Sequence, residues 1–380
     1  MKKTLTLLAI GLLAIAACDK QKEVTINLSN APEWVADESQ PVPVQFGGGI
    51  FGGIVTKGEA LSSDGFAEAQ YDILAVKADG TAMPNFEGGR YVSNQTHTIV
   101  GGARDGESIL TVNFGATLFY PYLSTGGNAY SFYGYRVDGT HQTLNANNVV
   151  ESIAIGQNDI IWAASEASAD NLAALEVPDG FNARYMRAAY KHSLEGENLN
   201  ETLYYSYLPQ LSFNHITSQL QFQIRAADEY AANSLASAGV GIHSITVKNT
   251  TTGATLAVLT GDLTGTTTGN VDVAGINDQL PLYVVVNQIP VAADCGEPIF
   301  ILPSDSIDFD IVITMPVGAP STTETISTTA YVPQVGGEAT TFEAGKKYNL
   351  TIVFQSIEEI KIVTELTEWE EVDVDDIIME

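Results

Sequence analysis

The residues of this chain that could perform chemistry are few and stand apart from one another. None of the linear signatures Gly-x-Ser-x-Gly, His-Glu-x-x-His or Cys-x-x-Cys occurs in the sequence. His215 could act as a base or a metal ligand, but no second His, Cys or acidic residue is spaced to join it, so we expect a structural histidine. Scattered carboxylates in β-sandwich hydrolases leave no linear signature, so an enzyme stays an alternative. We predict a protein with no catalytic residue, no cofactor and no metal.

A glycine-rich stretch contains a formal dinucleotide-binding motif. Gly47, Gly49 and Gly52 form Gly-x-Gly-x-x-Gly, which requires a helix that opens at the last glycine. The residues that follow, 50–57, are β-branched and glycine-rich, and Gly58 comes next, so no helix can begin there. We therefore expect a loosely held strand and loop, because glycine weakens a strand and packs nothing.

An aromatic cluster offers the one candidate binding surface. Residues 130–135 are Tyr-Ser-Phe-Tyr-Gly-Tyr, and a period of two places Tyr130 and Phe132 on one face and Tyr133 and Tyr135 on the other. Aromatic pairs commonly stabilise sheets, so we favour packing in the core. An exposed pair would instead form a glycan-binding platform, and the protein would then be a surface binder that does not polymerise.

The first eighteen residues have the composition of an export signal that ends in a modifiable cysteine. Two lysines precede an apolar run at 5–17, which is shorter than the about 20 residues that span a membrane. The run closes with Ile15-Ala16-Ala17 before Cys18, which resembles a bacterial lipobox, whose cysteine is acylated and becomes the first mature residue. At about 0.8 kcal/mol per buried methylene, acyl chains would anchor the protein on a membrane. An ordinary signal peptide followed by a chance cysteine is the alternative.

Composition excludes some classes of partner and of stabilisation. The net charge is −29, and loss of the signal with its two lysines makes it −31, a field that repels nucleic acid. With Cys18 acylated, Cys295 has no partner for an intramolecular disulfide, so stability must come from packing.

Hydrophobic patterning predicts an all-β fold with a few short helices. Short alternating segments bounded by turn residues recur along the chain, while helical periodicity is confined to 164–175, 182–194 and 228–239. The clearest strand is 211–225, where apolar residues alternate with glutamines, so that one face would be buried and the other wet. We expect the Thr- and Gly-rich tract that ends at Gly269 to consist largely of turns.

The length suits two β-rich domains in series. We place a signal peptide at 1–17, a tether at 18–23, an N-terminal β-sandwich domain at 24–238 and a C-terminal β-sandwich domain at 239–380. The last segment, 370–380, is acidic and carries apolar side chains at intervals.

Four stretches occur in an order that resembles a known family. They are the lipobox at Cys18, the Gln-Asn-Asp-Ile-Ile-Trp-Ala at 157–163, the Phe-Asn-His with its alternating strand at 213–224, and Phe-x-x-Gly-Lys-x-Tyr at 342–348 ahead of Trp369. Together they resemble the fimbrillin family, the type V pilins and fimbria-associated lipoproteins of Bacteroidetes. The resemblance implies two tandem transthyretin-like antiparallel β-sandwich domains, an outer-membrane lipoprotein that becomes part of a cell-surface fimbrium, and a role in cell adhesion. The implied partners are other fimbrial subunits, the outer membrane through the lipid on Cys18, and a host or bacterial surface ligand.

The resemblance also implies assembly by strand exchange. A protease removes the first strand of the lipidated precursor, and the exposed groove accepts the C-terminal strand of another subunit. Such a groove is an unpaired sheet edge until it is filled. The candidates for the donated side chains are Val372, Val374, Ile377 and Ile378, although Asp375-Asp376 breaks the alternation. A solvated acidic tail is the alternative.

The maturation site departs from the family pattern. Many members are cut after Arg, but here no Lys or Arg lies between Glu23 and Thr56, and the first Arg is Arg90. Lys57 is therefore the candidate for the cut. If it is not cut, the subunit keeps its lipid and acts as a fimbrial anchor or tip. Asp305-Ser306-Ile307 resembles a Bacteroidetes O-glycosylation site.

Overall fold

The computed structural model of the chain describes residues 28, 31–50, 72–78, 98–104, 107–113, 119–121, 129–137, 142–195, 198–276, 284–286, 289–315, 322–332, 341–355 and 360–367. These residues form mostly β-strands with a few short helices, as the sequence predicted.

The helices are short, and four of the five in the described residues begin at a side-chain cap. Their bounds are α1 Glu33–Ala36, α2 Ala169–Ala174, α3 Ala183–His192, α4 Glu201–Ser206 and α5 Glu229–Ala238. The side chains of Ser168, Asn182, Asn200 and Asp228 accept hydrogen bonds from the first turns of α2 to α5. Gly239 ends α5 with a left-handed φ of 65°. The predictions of helices within 164–175, 182–194 and 228–239 are confirmed, whereas α1 and α4 were not predicted.

The strands follow one another closely along the chain. In order they are β1 Gly47–Ile50, β2 Asp72–Val76, β3 Thr98–Arg104, β4 Glu107–Asn113, β5 Ser131–Val137, β6 Val149–Ala154, β7 Ile160–Ser165, β8 Leu194–Glu195, β9 Asn198–Leu199, β10 Gln210–His215, β11 Ser218–Ala226, β12 Gly241–Ala257, β13 Asp262–Asp272, β14 Val284–Val286, β15 Ile289–Val291, β16 Ala293–Asp294, β17 Ile299–Ile301, β18 Ser306–Met315, β19 Thr322–Tyr331, β20 Lys347–Phe354 and β21 Ile360–Thr367. The pairs β3–β4, β8–β9 and β14–β15 form separate two-stranded sheets.

Three larger sheets build the body of the protein. The first has the order β1-β10-β7-β5-β2, the second β16-β11-β20-β21 with β17 also paired to β11, and the third β13-β12-β18-β19 with β6 also paired to β12. Within the described strands, β1 is parallel to β10 and β11 is parallel to β20, and the other pairs are antiparallel.

The first sheet is buried on both faces. One face, with Phe132 and Phe213, packs on helices α1 to α4. The opposite face, with Tyr135 and Ile160, packs on β6 and the second half of β12 around Leu256. A further core fills the space between the second and third sheets. The strands of the first sheet therefore contribute to two of the three cores, one on each of its faces.

The predicted strand 211–225 is in fact two strands that belong to different sheets. The chain leaves the first sheet after His215 and enters the second at Ser218. The prediction of a wet glutamine face is wrong for Gln219 and Gln221, which are buried. The side-chain amide of Gln221 donates to the backbone carbonyl of Gly296, in the segment that leads to β17, at 3.2 Å.

The structure of the Thr- and Gly-rich tract also differs from the turns that we predicted. It forms the hairpin of β12 and β13 instead of turns. The glycines make this possible, because a Cβ at Gly253 would lie 2.5 Å from the Thr267 hydroxyl. Threonine is β-branched and suits a strand once glycine leaves it room.

The boundary between the two predicted domains stays a prediction. Strand β11 pairs with β20 along its whole length, from Gln219 opposite Lys347 to Ala226 opposite Phe354. On this pairing we propose a boundary at 216–217, earlier than the one predicted after residue 238.

Candidate functional site: the N-terminal segment and the sheet edge it occupies

The described residues 31–50, here called the N-terminal segment, form one continuous part of the first sheet and its core. The segment holds α1, an extended stretch at 42–46 and then β1. In the extended stretch, Val42, Val44 and Phe46 are buried while the residues between them are not. This alternation directs every second side chain inward, as in a strand.

The inward side chains fill apolar space that the rest of the chain leaves open. The Phe46 ring meets the Phe132 ring edge-on, with centroids 4.9 Å apart. Val35 is fully buried in the same core, and Trp34 packs edge-on against Tyr190 of α3 at 5.5 Å. Burial of Val35, Val42, Val44 and Phe46 at about 1.5–3 kcal/mol each contributes on the order of 6–12 kcal/mol.

Arg187 on α3 binds the backbone of the N-terminal segment. Its Nε donates to the Trp34 carbonyl at 2.8 Å, and its Nη2 donates to the carbonyls of Glu38 at 3.1 Å and Gln40 at 2.7 Å. Arg187 is 4% exposed. Burial lowers the pKa of Arg187 from its usual value, and the charges of Glu38 and Asp37 oppose that shift. The three carbonyls thus take the place of water around a buried guanidinium.

Two further polar contacts fix the extended stretch. The Tyr204 hydroxyl donates to the Gln45 side chain at 2.6 Å, and the Tyr120 amide donates to the Val42 carbonyl at 2.9 Å. Burial raises the pKa of Tyr204 well above its usual value, so this hydroxyl stays a neutral donor.

Strand β1 lies at the end of the first sheet. Gly47 to Ile50 pair in parallel with Gln210 to Phe213 of β10. Removal of β1 would leave the edge of β10 unpaired beside the apolar sites of the extended stretch. An edge of this kind is a template for another strand.

The site residues that were predicted from the sequence are not among the residues that form this sheet edge. Cys18, Lys57, Val372, Val374, Ile377 and Ile378 all fall outside the described residues. Of the formal dinucleotide motif, Gly47 and Gly49 lie in strand β1, and Gly52 is outside the described residues.

The favoured prediction for residues 130–135, packing in the core, is confirmed, and the alternative of a glycan platform is wrong. Tyr130, Phe132, Tyr133 and Tyr135 are all buried. The physical reason is that β5 lies inside the first sheet, which is covered on both faces. No aromatic surface remains there for a sugar ring to stack on.

His215 has an acidic partner that the sequence analysis missed. Its Nδ1 lies 3.0 and 2.9 Å from the two carboxylate oxygens of Asp159, and the two side chains are 1% and 0% exposed. The Thr217 hydroxyl lies 3.5 Å from the same carboxylate. The pair is closed off from solvent, so we assign it to structure.

The three internal stretches that carry the family resemblance meet at this point. Asp159 belongs to the stretch 157–163, and His215 belongs to the stretch 213–224. The stretch 342–348 contacts the second of these through Gly345, whose backbone amide donates to the Thr217 carbonyl at 2.9 Å. The Ser218 hydroxyl donates to the Glu343 carbonyl at 2.6 Å. The stretches therefore build the joint at which the chain crosses from the first sheet to the second.

Arg187 was also missed, although the sequence carries a signal for it. The positions Ala183, Met186, Arg187 and Tyr190 share one helical face, and all four are buried. A charged residue on an apolar face must be paired or hydrogen-bonded. Such a residue marks a contact with another part of the chain.

Other kinds of site find no support among the described residues. There, His, Cys, Asp and Glu do not gather in any group of three that could bind a metal ion. In the same part of the chain, no helix has both the length and the apolar composition needed to cross a bilayer.

Fold and site together define a β-sheet protein whose N-terminal segment completes one sheet and part of its core. A family model described as fimbrillin-like matches residues 60–369. This is most of the chain, and the protein belongs to the fimbrillin-like family.

Several solved structures of bacterial proteins are similar to the chain. A candidate cell adhesion protein from Bacteroides uniformis is 18% identical with a TM-score of 0.48, over 88% of this chain and 100% of that one. The fimbrial anchor protein Mfa2 from Porphyromonas gingivalis is 10% identical with a TM-score of 0.35, over 86% and 98%. A fimbrial assembly protein from Parabacteroides distasonis is 8% identical with a TM-score of 0.34, over 87% and 99%. Comparison with curated protein sequences finds no match.

Proposed function

We propose that this protein is a structural, non-enzymatic subunit of a cell-surface fimbria that supports adhesion. It is exported as a lipoprotein acylated on Cys18 and assembles by strand exchange after a cut at Lys57. Membership of the fimbrillin-like family supports the fimbrial role. Its partners are other fimbrial subunits and, before the cut, the outer membrane.

The N-terminal segment is the observation that carries the proposal. It is continuous, it occupies the end of the first sheet, and it places four apolar side chains in one core. Lys57 lies seven residues beyond Ile50, the last residue of β1. A cut after Lys57 would therefore separate the whole segment from the rest of the chain with a single broken peptide bond.

The contacts of the segment explain why it must be replaced and not merely lost. Its departure would expose the apolar sites of Val42, Val44 and Phe46 to water and remove three carbonyl groups that accept hydrogen bonds from Arg187. Both changes are unfavourable. The segment therefore stays in place after the cut until an incoming strand fills the same sites.

The C-terminal segment of a second copy has a spacing that suits two of those sites, the ones of Val42 and Val44. Val372 and Val374 are two residues apart, as are Val42 and Val44. A donor in an extended conformation would place both valines inward. Its backbone would pair with β10 in place of β1.

A substitution at Lys57 in the native cells tests the proposal. In Lys57→Gln cells we expect the protein to stay membrane-bound through its lipid and to form no detergent-resistant multimers. Lys77→Gln, at the next lysine along the chain, serves as the matched control and should assemble normally. Multimers of normal length in the Lys57→Gln cells would refute assembly through this cut. If the unmodified protein also keeps acylated Cys18 in every molecule, the anchor role replaces the stalk role.

A further inference from the structure

The site that the N-terminal segment occupies is polar as well as apolar. Arg187 donates to three carbonyls of the segment, among them that of Gln40 at 2.7 Å. The Tyr204 hydroxyl donates to the Gln45 side chain at 2.6 Å. Both donors belong to helices, α3 and α4, so they stay in the protein when the segment leaves. An occupant that replaces the segment must therefore offer oxygen acceptors at the same two places.

The N-terminal segment also brings negative charge to Arg187. Burial lowers the pKa of Arg187, and the charges of Glu38 and Asp37 oppose that shift, so both carboxylates lie within electrostatic reach of the guanidinium. A guanidinium forms stronger hydrogen bonds with carboxylate oxygens than with neutral carbonyls. The site therefore favours an occupant that carries acidic side chains.

The C-terminal segment is an acidic occupant. Residues 370–380 include six acidic side chains and no basic one. If its two valines take the sites of Val42 and Val44, and the donor runs in the direction of the segment that it replaces, Glu370 takes the position of Gln40. The carbonyl of Gln40 is one of those that Arg187 binds. The alignment that fills the two apolar sites therefore also brings a carboxylate to the buried cation.

The same alignment gives a place to the two consecutive aspartates that break the alternation of the segment. A β-bulge sets two residues of one strand where a regular strand has one. With a bulge at Asp375 and Asp376, both residues take the position of Gln45, whose side chain contacts Tyr204. Ile377 then takes the site of Phe46. The donor would fill three apolar sites and keep its aspartates out of the core.

We infer that the site selects its donor by acidic side chains. Arg187 binds the Glu370 carboxylate of the incoming strand, and the Tyr204 hydroxyl donates to a carboxylate of the Asp375-Asp376 pair. This inference rests on the strand exchange proposed above, and it names the chemistry by which the C-terminal segment of a second copy is recognised. Hydrogen bonds to charged acceptors are stronger than those to the neutral oxygens of the N-terminal segment. The two contacts therefore favour the exchange once the chain is cut.

Synthetic peptides test this recognition without any effect on the folding of the protein. A peptide of residues 368–380, added to native cells while fimbriae assemble, should occupy the site and block the formation of multimers. Peptides with Glu370→Gln, or with Asp375→Asn and Asp376→Asn, should need an about tenfold higher concentration for half-inhibition, as the loss of one hydrogen bond to a charged group predicts. The matched control peptide carries Asp373→Asn, which removes the same charge at the position of Pro43, and should inhibit like the unmodified peptide.

Variants of the protein assign each contact to its donor. In Arg187→Met cells, the unmodified peptide and the Glu370→Gln peptide should inhibit equally, while the peptide without the aspartate pair stays weaker. Tyr204→Phe cells should show the opposite pattern. The bulge predicts that Ile377→Ala in the peptide weakens inhibition more than Ile378→Ala, since only the first side chain takes an apolar site.

The outcomes separate this inference from the proposed function. Equal inhibition by the unmodified, Glu370→Gln and aspartate-pair peptides would overturn the inference and leave strand exchange standing. An undiminished effect of Glu370→Gln in Arg187→Met cells would overturn the role of Arg187. If the unmodified peptide has no effect although sheared multimers begin at Gly58, the donor is another segment and the inference is wrong. Sheared multimers that keep residues 18–57 would refute strand exchange itself, and this inference with it.

Discussion

Arg187→Met separates the hydrogen bonds of the N-terminal segment from its apolar packing. Methionine keeps most of the aliphatic stem but gives up the donors to Trp34, Glu38 and Gln40. Hydrogen bonds to a charged group contribute about 1.5–3 kcal/mol each. Glu38 is exposed, so its freed carbonyl can turn to water, and we expect a net loss of about 2–4 kcal/mol.

Hydrogen exchange measured by mass spectrometry locates this loss. The amides of Val35 and Asp37 donate within α1, and the amide of Tyr120 donates to the Val42 carbonyl. If the N-terminal segment opens as a unit, a loss of about 2–4 kcal/mol speeds exchange of these amides roughly 30- to 900-fold. Amides of β18 and β20, which pack in a different core, should be unchanged.

Arg184→Met is the matched control, because Arg184 is on the same helix but exposed. It should leave the exchange of the N-terminal segment as it is in the unmodified protein. Equal exchange in the Arg187 and Arg184 variants would refute the conclusion that the guanidinium holds the segment. Faster exchange throughout the chain would mean that the substitution acts on global stability instead.

Three further predictions follow from buried groups. Asp159→Ala removes the carboxylate that His215 contacts and should cost about 3–5 kcal/mol in urea unfolding, as the loss of one partner of a buried pair does. Gly134→Ala places a Cβ 2.5 Å from the Phe213 ring and should cost about 1–3 kcal/mol, seen as a lower Tm. Burial raises the pKa of Tyr185 from 10.0 to about 12, so the folded chain keeps a proton that the unfolded chain loses. Stability should fall as the pH rises from 10 to about 12, and Tyr185→Phe should reduce that fall.

Each of these predictions has a control at an exposed or roomier position. Asp170→Ala, in the first turn of α2, should cost less than about 1 kcal/mol. Gly180→Ala meets its nearest atom, the Ala129 Cβ, at 3.3 Å and should be tolerated better than Gly134→Ala. Tyr230→Phe, at an exposed tyrosine, should leave the alkaline loss of stability unchanged. A variant that behaves like its control would contradict the burial or contact on which its prediction rests.

Helices α2, α3 and α5 could be predicted from the sequence because their signals are local. Asn182 and Asp228 cap the first turns of α3 and α5, and Gly239 ends α5. These residues lie next to the helices they limit, so the chain itself shows them. The all-β class was equally accessible from short alternating segments.

The break in the predicted strand 211–225 could not be found in this way. No Gly or Pro separates His215 from Ser218. The chain changes sheets there because the Ile216 amide donates to the Ile160 carbonyl and the Gln219 amide donates to the Lys346 carbonyl. Both partners are more than fifty residues away, and local patterning does not register them.

Burial on both faces of a sheet was also beyond sequence patterning. Alternation predicts one apolar and one polar face, but in β5 both Phe132 and Tyr133 are covered, by different parts of the chain. Separation along the chain also explains why the partner of His215 was missed, because Asp159 lies 56 residues earlier. Cys18 and Lys57 lie outside the described residues, and their roles stay predictions.

The N-terminus of the assembled protein tests the central claim most directly. The measurement is the intact mass and N-terminal sequence of protein sheared from the native cells, beside the membrane-retained fraction. The account predicts that the sheared, multimeric species begins at Gly58 and that the retained species begins at acylated Cys18. Sheared multimers in which every molecule still contains residues 18–57 would contradict assembly by replacement of the N-terminal segment.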